Sequence, residues 1–320
     1  KAEWQESNSS SLADFSAIGY NFGKIINDIL DVPVGLIQAT WGGTPVESWT
    51  SIDALKKNDN GAYGKLDSLE SIYALRGPWT PSVIFNGMVN PIIPYGIKGI
   101  IWYQGESNTF WNYNIYDKTF SSMISDWRKR WNNDLMDFFF VQISPYNYFN
   151  DNKGILSAII REKQEMVDNN LHNTGMAITM DLGREFSIHP PDKLTVSKRL
   201  AYIALSESYS FTEVESKGPR FKSMVINERN EAVLSFENAE RGLFSPNDEI
   251  IGFEIAGKDR IFYPAIAQII DYGKHVKVYN DKVLFPVAVR YCFRDWCVGN
   301  LYNTSGLPAS SFRTDKWDNN

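Results

Sequence analysis

The spacing of apolar residues changes near residue 210, and this change restricts the folds open to the chain. Before it, short runs of continuous apolar residues alternate with segments in which apolar residues recur every three or four positions. That combination is typical of buried parallel strands separated by amphipathic helices. After it, short apolar runs are separated by Asn, Gly and Asp, which is typical of an antiparallel sandwich. We therefore expect residues 1–210 to form a doubly wound α/β domain and residues 211–320 a smaller all-β sandwich domain.

Strands and helices are predicted in alternation within the first part. The predicted strands are residues 32–40, 97–103, 137–144 and 175–181. The predicted helices are residues 12–30, 113–131, 155–167 and 193–205. In a parallel sheet of this kind the carboxyl ends of the strands lie along one edge, and ligands bind there.

Composition and charge argue against several classes of function. The chain is 43% apolar and 22% charged, which is typical of a globular protein and not of a disordered one. A net charge of -6 argues against nucleic-acid binding, because phosphates require clustered Lys and Arg. No apolar run in the sequence approaches the roughly 18 to 20 residues that a membrane span requires. We expect a small or neutral ligand.

Two features leave alternatives open. Aromatic residues make up 14% of the chain, a level found in carbohydrate-handling proteins, although core packing accounts for most of them equally well. Cys292 and Cys297 flank a predicted two-residue turn, which fits a disulfide and a pair of free thiols equally. Neither interpretation predicts a metal site, because the sequence has no second Cys pair and no His cluster.

Polar residues and glycines follow three of the predicted strands. Gly42 and Gly43 follow the first strand, and paired glycines allow the backbone to turn tightly and present its N–H groups. The second strand ends in the sequence QGESN, residues 104–108. His189 follows the fourth strand and precedes a helix, so we expect it to lie beside the end of the second strand. The other two histidines are interpreted as surface residues.

Five blocks of sequence carry a resemblance to a known family. In chain order they are FSAIGYNFG, GLIQATWGGTPVESWTS, FNGMVNPIIPYGIKGIIWYQGESN, IHPPDK with RLA after it, and GNLYNTSGLPASSFRTDKW. The chain resembles the SGNH-type carbohydrate esterases of the sialate O-acetylesterase group from Phe15 to Trp317. The resemblance implies a flavodoxin-like hydrolase domain in a secreted or periplasmic protein. It also implies removal of acetyl groups from sugars, such as O-acetylated sialic acids, by a Ser-His mechanism without metal or cofactor.

The resemblance also implies roles for residues of these blocks. Gly43 would supply a backbone donor to the oxyanion, and Asn108 or Gln104 a side-chain donor. His189 would be the base that takes the serine proton. Glu106 would orient its loop or contact the sugar, and a role as a buried hydrogen-bond partner is equally compatible with its position. Ser107 corresponds to a spacer position and does not lie in a Gly-x-Ser-x-Gly nucleophile elbow.

The sequence departs from the family pattern in two places. The family's nucleophile lies in an N-terminal Gly-Gln-Ser-Asn block, which does not occur in these residues. Ser187 stands where the family carries an aspartate, so Asp181 or Glu185 would have to orient His189, or the histidine works in a dyad. We expect an acetylesterase whose serine lies on a separate or missing N-terminal segment. A non-catalytic sugar-binding relative is the alternative, and a glycosidase using Glu106 is a third.

Overall fold

A computed structural model describes residues 3–57, 77–149, 151, 153–247 and 249–317. It confirms an α/β fold with a three-stranded parallel sheet in the first part of the chain. The strands are β1 (Gly99–Trp102), β2 (Asp137–Val141) and β3 (Thr174–Ala177), in the order β1-β2-β3. These three strands correspond to three of the four that the sequence predicts.

Six α-helices lie in the described residues of this part. They are α1 (Ala17–Leu30), α2 (Val46–Trp49), α3 (Ile52–Lys57), α4 (Tyr116–Arg130), α5 (Leu156–Asn170) and α6 (Lys193–Tyr209). Short π- or 3-10 segments lie at Phe85–Val89, Asn90–Ile92, Glu106–Thr109 and Tyr113–Ile115. No helix in the described ranges combines the length and apolarity needed to cross a lipid bilayer.

Helices cover both faces of the parallel sheet. Alternate side chains of β2 point to opposite faces, so its continuous apolar sequence requires a cover on each. Phe140 contacts Phe120 of α4 on one face, with 5.1 Å between ring centroids. Phe139 belongs to a second apolar cluster on the other face, which includes Leu200 of α6. The continuous apolar run of β2 is therefore buried on both sides.

The predicted strand at residues 32–40 does not form. Residues 33–40 belong to no β-ladder, although Val34 packs in the same apolar cluster as Ile101 of β1. The apolar pattern was wrong about burial as well as pairing, since Val32 and Ile37 are 44% and 40% exposed, and a strand also needs a neighbour for its backbone hydrogen bonds. Within the described residues, β1 pairs with β2 alone.

The second part of the chain contains only strands and one short 3-10 segment, Asp271–Gly273, among its described residues. The strands are β4 (Arg220–Ile226), β5 (Ala232–Glu237), β6 (Leu243–Phe244), β7 (Phe253–Ala256), β8 (Phe262–Pro264), β9 (Ile266–Ile270), β10 (His275–Tyr279), β11 (Ala288–Tyr291), β12 (Tyr302–Asn303) and β13 (Phe312–Arg313). Two four-stranded antiparallel sheets have the orders β4-β5-β10-β9 and β13-β11-β7-β8, and β6 pairs with β12.

Aromatic packing joins the two antiparallel sheets. Phe221 of β4 stacks on Phe312 of β13, with 4.8 Å between ring centroids. Cys292 and Cys297, for which the sequence left two possibilities open, are free thiols.

Candidate active site

The QGESN segment turns sharply at the carboxyl end of β1. Gly105 has φ 155°, and a Cβ on this residue would lie 2.7 Å from Ile143 Cγ2. A larger residue therefore cannot occupy this position without displacing its neighbours, and the chain turns directly from β1 into the segment Glu106–Thr109.

Asn108 is fully buried and bonds two distant parts of the chain together. Its Oδ1 accepts hydrogen bonds from Val46 N at 2.9 Å and from Gln104 Nε2 at 2.7 Å. Its Nδ2 donates to Glu47 Oε2 and to the carbonyl oxygen of Trp111, each at 3.0 Å. Both amide hydrogens of Asn108 are thus donated inside the protein, and a role as oxyanion donor requires the release of one of them.

The side chain of Gln104 is held in a similar way. Its Nε2 donates to the carbonyl oxygen of Thr44 at 3.2 Å and to Asn108 Oδ1. Its Oε1 accepts a hydrogen bond from the Tyr116 hydroxyl at 3.1 Å. The structure therefore brings Gln104 and Asn108 together with the loop that carries Gly43, as the sequence predicts, and their amides hold the two loops in contact.

Gly43 presents its backbone to open space. It has φ 71°, and a Cβ added there would meet no atom within 4 Å. Its carbonyl oxygen accepts a hydrogen bond from Trp79 Nε1 at 2.9 Å, which fixes the orientation of the following peptide group. The N–H of Gly43 donates to no group in the described residues. This N–H is available to a ligand oxygen.

The charges of Glu106 and of Lys193, the first residue of α6, act on each other. Burial raises the pKa of its carboxyl group, and the positive charge of Lys193 opposes that shift. Burial also lowers the pKa of Lys193, which the charge of Glu106 opposes in turn. Lys193 follows His189 by four residues in the chain. Lys193 closes the block IHPPDK, the one signal in the sequence that could have identified it.

His189 and Asp181 are not paired with each other. The imidazole of His189 is exposed, and the carbonyl oxygen of the same residue accepts a hydrogen bond from Ser187 Oγ at 3.3 Å. The Asp181 carboxylate instead accepts two hydrogen bonds from Arg199, at 2.7 and 2.6 Å. Arg199 was not among the predicted site residues, although it stands in the RLA block. The Arg199 guanidinium therefore binds the carboxylate of Asp181, which with Glu185 was one of the two that could orient the histidine.

A cavity of about 750 Å³ lies against the histidine loop. It is lined mainly by residues 181–187, and Trp296 and Val298 from the second part of the chain line it as well. Neither the QGESN segment nor Gly43 reaches this cavity.

Comparisons with known proteins identify relatives of the chain. The family model for carbohydrate esterases described as sialic acid-specific acetylesterases matches residues 4–204. The sialate O-acetylesterase of Rattus norvegicus is 32% identical over 68% of this chain and 47% of its own length. That of Mus musculus is 28% identical over 93% of this chain and 63% of its own length.

A solved structure is similar over nearly the whole chain. The crystal structure of a carbohydrate acetylesterase from Xanthomonas citri superposes with a TM-score of 0.86 at 34% identity, over 98% of this chain and 68% of that one. The chain spans about half the length of the curated rat and human relatives that it matches. On these matches, the chain belongs to the carbohydrate esterase family of sialic acid-specific acetylesterases.

Proposed function

We propose that the protein is a carbohydrate O-acetylesterase, which removes acetyl esters from sugars such as O-acetylated sialic acids. The observation that carries the proposal is the bonding of the QGESN segment to the Gly43 loop, from Gln104 Nε2 to the carbonyl oxygen of Thr44, in a chain of this family. Together with a serine nucleophile, a base such as His189 and a free backbone donor such as Gly43 are the groups that acyl transfer from an ester requires.

The proposed reaction has two steps. A serine oxygen attacks the ester carbonyl carbon while the His189 imidazole accepts the serine proton, and the N–H of Gly43 donates to the oxyanion. The carbon–oxygen bond to the sugar then breaks, and the sugar leaves as an alcohol with the proton from His189. Water attacks the acetyl-serine in the second step, again losing its proton to His189, which releases acetate and regenerates the serine.

Asp181 takes a positioning role in this proposal. Its two hydrogen bonds to Arg199 tie the start of the histidine loop to α6, and His189 then works with the serine as a dyad. Glu106 and Lys193 form the polar wall on which the sugar hydroxyls bind. Gln104 and Asn108 keep the two loops in register, and either amide reaches the oxyanion only if it exchanges one of its present bonds.

We place the nucleophilic serine on an additional N-terminal segment. Two observations support this placement. One edge of β1 has no partner strand in the described residues. Residues 33–40 belong to no β-ladder, although Val34 packs in the same apolar cluster as Ile101 of β1. A strand inserted there would complete a flavodoxin-like, SGNH-type sheet and deliver a serine to its carboxyl edge. The proposal also includes a boundary near residue 210 between the two domains and a secreted or periplasmic location.

A sugar-binding relative without a nucleophile is the second candidate. The observation that favours it is the engagement of Ser187 Oγ with the carbonyl of His189, which leaves no serine hydroxyl bonded to the imidazole among the described residues.

Ester hydrolysis assays separate the two candidates. We expect the chain alone to hydrolyse aryl acetates and O-acetylated sialic acid weakly, and a version extended by a Gly-Gln-Ser-Asn segment to hydrolyse both at least about 10³-fold faster. His189→Ala in the extended version should remove that gain, and Ser107→Ala should leave it intact. If the chain alone is fully active and Ser107→Ala abolishes that activity, Ser107 is the nucleophile. Activity that stays unchanged in His189→Ala would refute the mechanism.

A further inference from the structure

Five aromatic rings form a continuous strip across three loops at the carboxyl edge of the parallel sheet. The centroid distances along the strip are 5.7 Å from Phe110 to Tyr148, 4.9 Å from Tyr148 to Tyr146, 6.4 Å from Tyr146 to Phe149 and 6.2 Å from Phe149 to Phe186. The last pair is nearly parallel, with 14° between the ring planes.

The strip joins the two halves of the candidate active site. Phe110 follows Asn108 by two residues, and Phe186 precedes His189 by three. Phe110, Phe149 and Phe186 are 54%, 66% and 75% exposed, although burial of a phenylalanine ring is favourable. Large apolar side chains exposed side by side mark a binding surface more often than single exposed ones do.

The strip also borders space that a ligand could fill. Phe186 and Trp296 both line the cavity of about 750 Å³, which lies within the size range of small-molecule sites.

The charges around the cavity favour a ligand without negative charge. Glu185, Asp192 and Asp181 line it, and Arg184 is the one cation among its lining residues. The negative charge of Asp181 is neutralised by Arg199 outside the cavity. A polyanion would be repelled here, whereas sugar hydroxyls would find carboxylate acceptors beside aromatic faces.

We propose that the aromatic strip and the adjoining cavity bind neutral pyranose units of the glycan chain that carries the acetyl ester. This inference rests on the proposed function and extends it, because it makes the substrate a sugar within a chain instead of a free monosaccharide. Ring faces of Phe and Trp pack against the C–H faces of pyranoses, and the carboxylates accept hydrogen bonds from the equatorial hydroxyls.

Calorimetric titration with lacto-N-tetraose, a neutral tetrasaccharide without ester groups, tests the surface independently of catalysis. We expect binding by the protein, weakened at least about tenfold by Phe149→Ala and by Phe186→Ala and restored by Phe186→Tyr. Phe285→Ala, which removes a ring that is 68% exposed in the second part of the chain, is the matched control and should change nothing. Absence of binding, or equal binding by the Phe149 and Phe186 variants, would overturn the proposal.

Turnover separates this inference from the proposed function. With the extended, active version, Phe186→Ala should raise the KM for acetylated sialic acid attached to lactose at least about tenfold more than the KM for free acetylated sialic acid. Tetrasaccharide binding through Phe149 and Phe186 in a protein that hydrolyses neither ester would refute the esterase and leave the glycan surface standing. Hydrolysis of both esters with an unchanged KM ratio would refute the glycan surface alone.

Discussion

The buried amide of Asn108 makes four hydrogen bonds, two of which join the QGESN segment to α2. Replacing it with alanine leaves Val46 N–H and Gln104 Nε2 without their acceptor in a dry environment. We expect Asn108→Ala to lower the free energy of unfolding by about 2 to 4 kcal/mol, measured by urea denaturation. Ser107→Ala, one residue away, should change it by less than about 0.5 kcal/mol. Loss of activity at unchanged stability would contradict this structural role and support an oxyanion donor.

The carboxyl group of Asp295 has a pKa above the usual range for aspartate. Burial and the neighbouring carboxylate of Asp151 raise the pKa of Asp295 to about 6, although its Oδ1 accepts from the Ser157 N–H and hydroxyl at 2.8 Å each. The folded protein therefore holds more protons than the unfolded chain between about pH 4 and 6, and the stability from this group is lost as pH rises through about 6. Asp295→Asn mimics the neutral acid. In scanning calorimetry, raising the pH from 4 to 7 should lower the Tm of Asp295→Asn less than that of the unchanged protein. An identical pH dependence of the two Tm values would contradict the raised pKa of Asp295.

The elements with strong periodicity were predictable from the sequence, but their ends and pairings were not. Helix α1 was expected to begin at residue 12 and begins at Ala17, because Ser16 Oγ accepts from Gly19 N and caps it there. The strand expected at residues 32–40 failed because an apolar run guarantees neither burial nor a pairing partner, and here Val32 and Ile37 are exposed.

The same limit applies to the candidate site. Because the Gly43 loop and the QGESN segment each follow a predicted strand, the sequence predicted that both lie at one edge of the sheet, and in the structure Gln104 bonds Thr44. Their bonding could not be predicted, since Asn108 reaches a partner 61 residues away. The attachment of Asp181 to Arg199 was equally hidden, because spacing along a chain does not choose between an arginine and a histidine as the partner of a carboxylate.

The loop that carries His189 packs tightly on the loop after β2 through Gly183. A Cβ on Gly183 would lie 2.3 Å from the Pro145 carbonyl oxygen. We expect Gly183→Ala to push the two loops apart, to lower stability by about 1 to 3 kcal/mol, and to reduce kcat/KM for acetyl ester hydrolysis at least about tenfold in the active version. Gly87→Ala, where a Cβ would meet nothing within 4 Å, is the control for both measurements. Unchanged kinetics with Gly183→Ala would show that this contact does not position the histidine loop.

Helix α5 connects the two parts of the whole molecule. Along this helix, the side chain of Arg161 is fully buried, while Glu162 accepts two hydrogen bonds from Arg313 at 2.8 Å each and Asp168 is paired with Arg220. All of these bonds cross from the α/β part to the strands after residue 219. We therefore expect the two parts to unfold together, since separating them would expose the charged side chains on α5.

Replacing Arg161 is the most direct test of whether the two parts unfold together. Its guanidinium donates to the carbonyl oxygens of Cys292 and Arg294 and to Ser311 Oγ, at 3.4, 2.5 and 3.1 Å. Arg161→Ala leaves these acceptors buried without a donor, so we expect a loss of about 3 kcal/mol or more in the free energy of unfolding. Scanning calorimetry should show one transition for the unchanged protein and two for this variant, because the loop at residues 292–297 then no longer holds to α5. Glu162→Gln, which weakens a more exposed ion pair, should lower stability by less than about 1 kcal/mol and keep a single transition. A single, unshifted transition in Arg161→Ala would mean that the two parts are held together by their apolar contacts and not by this arginine.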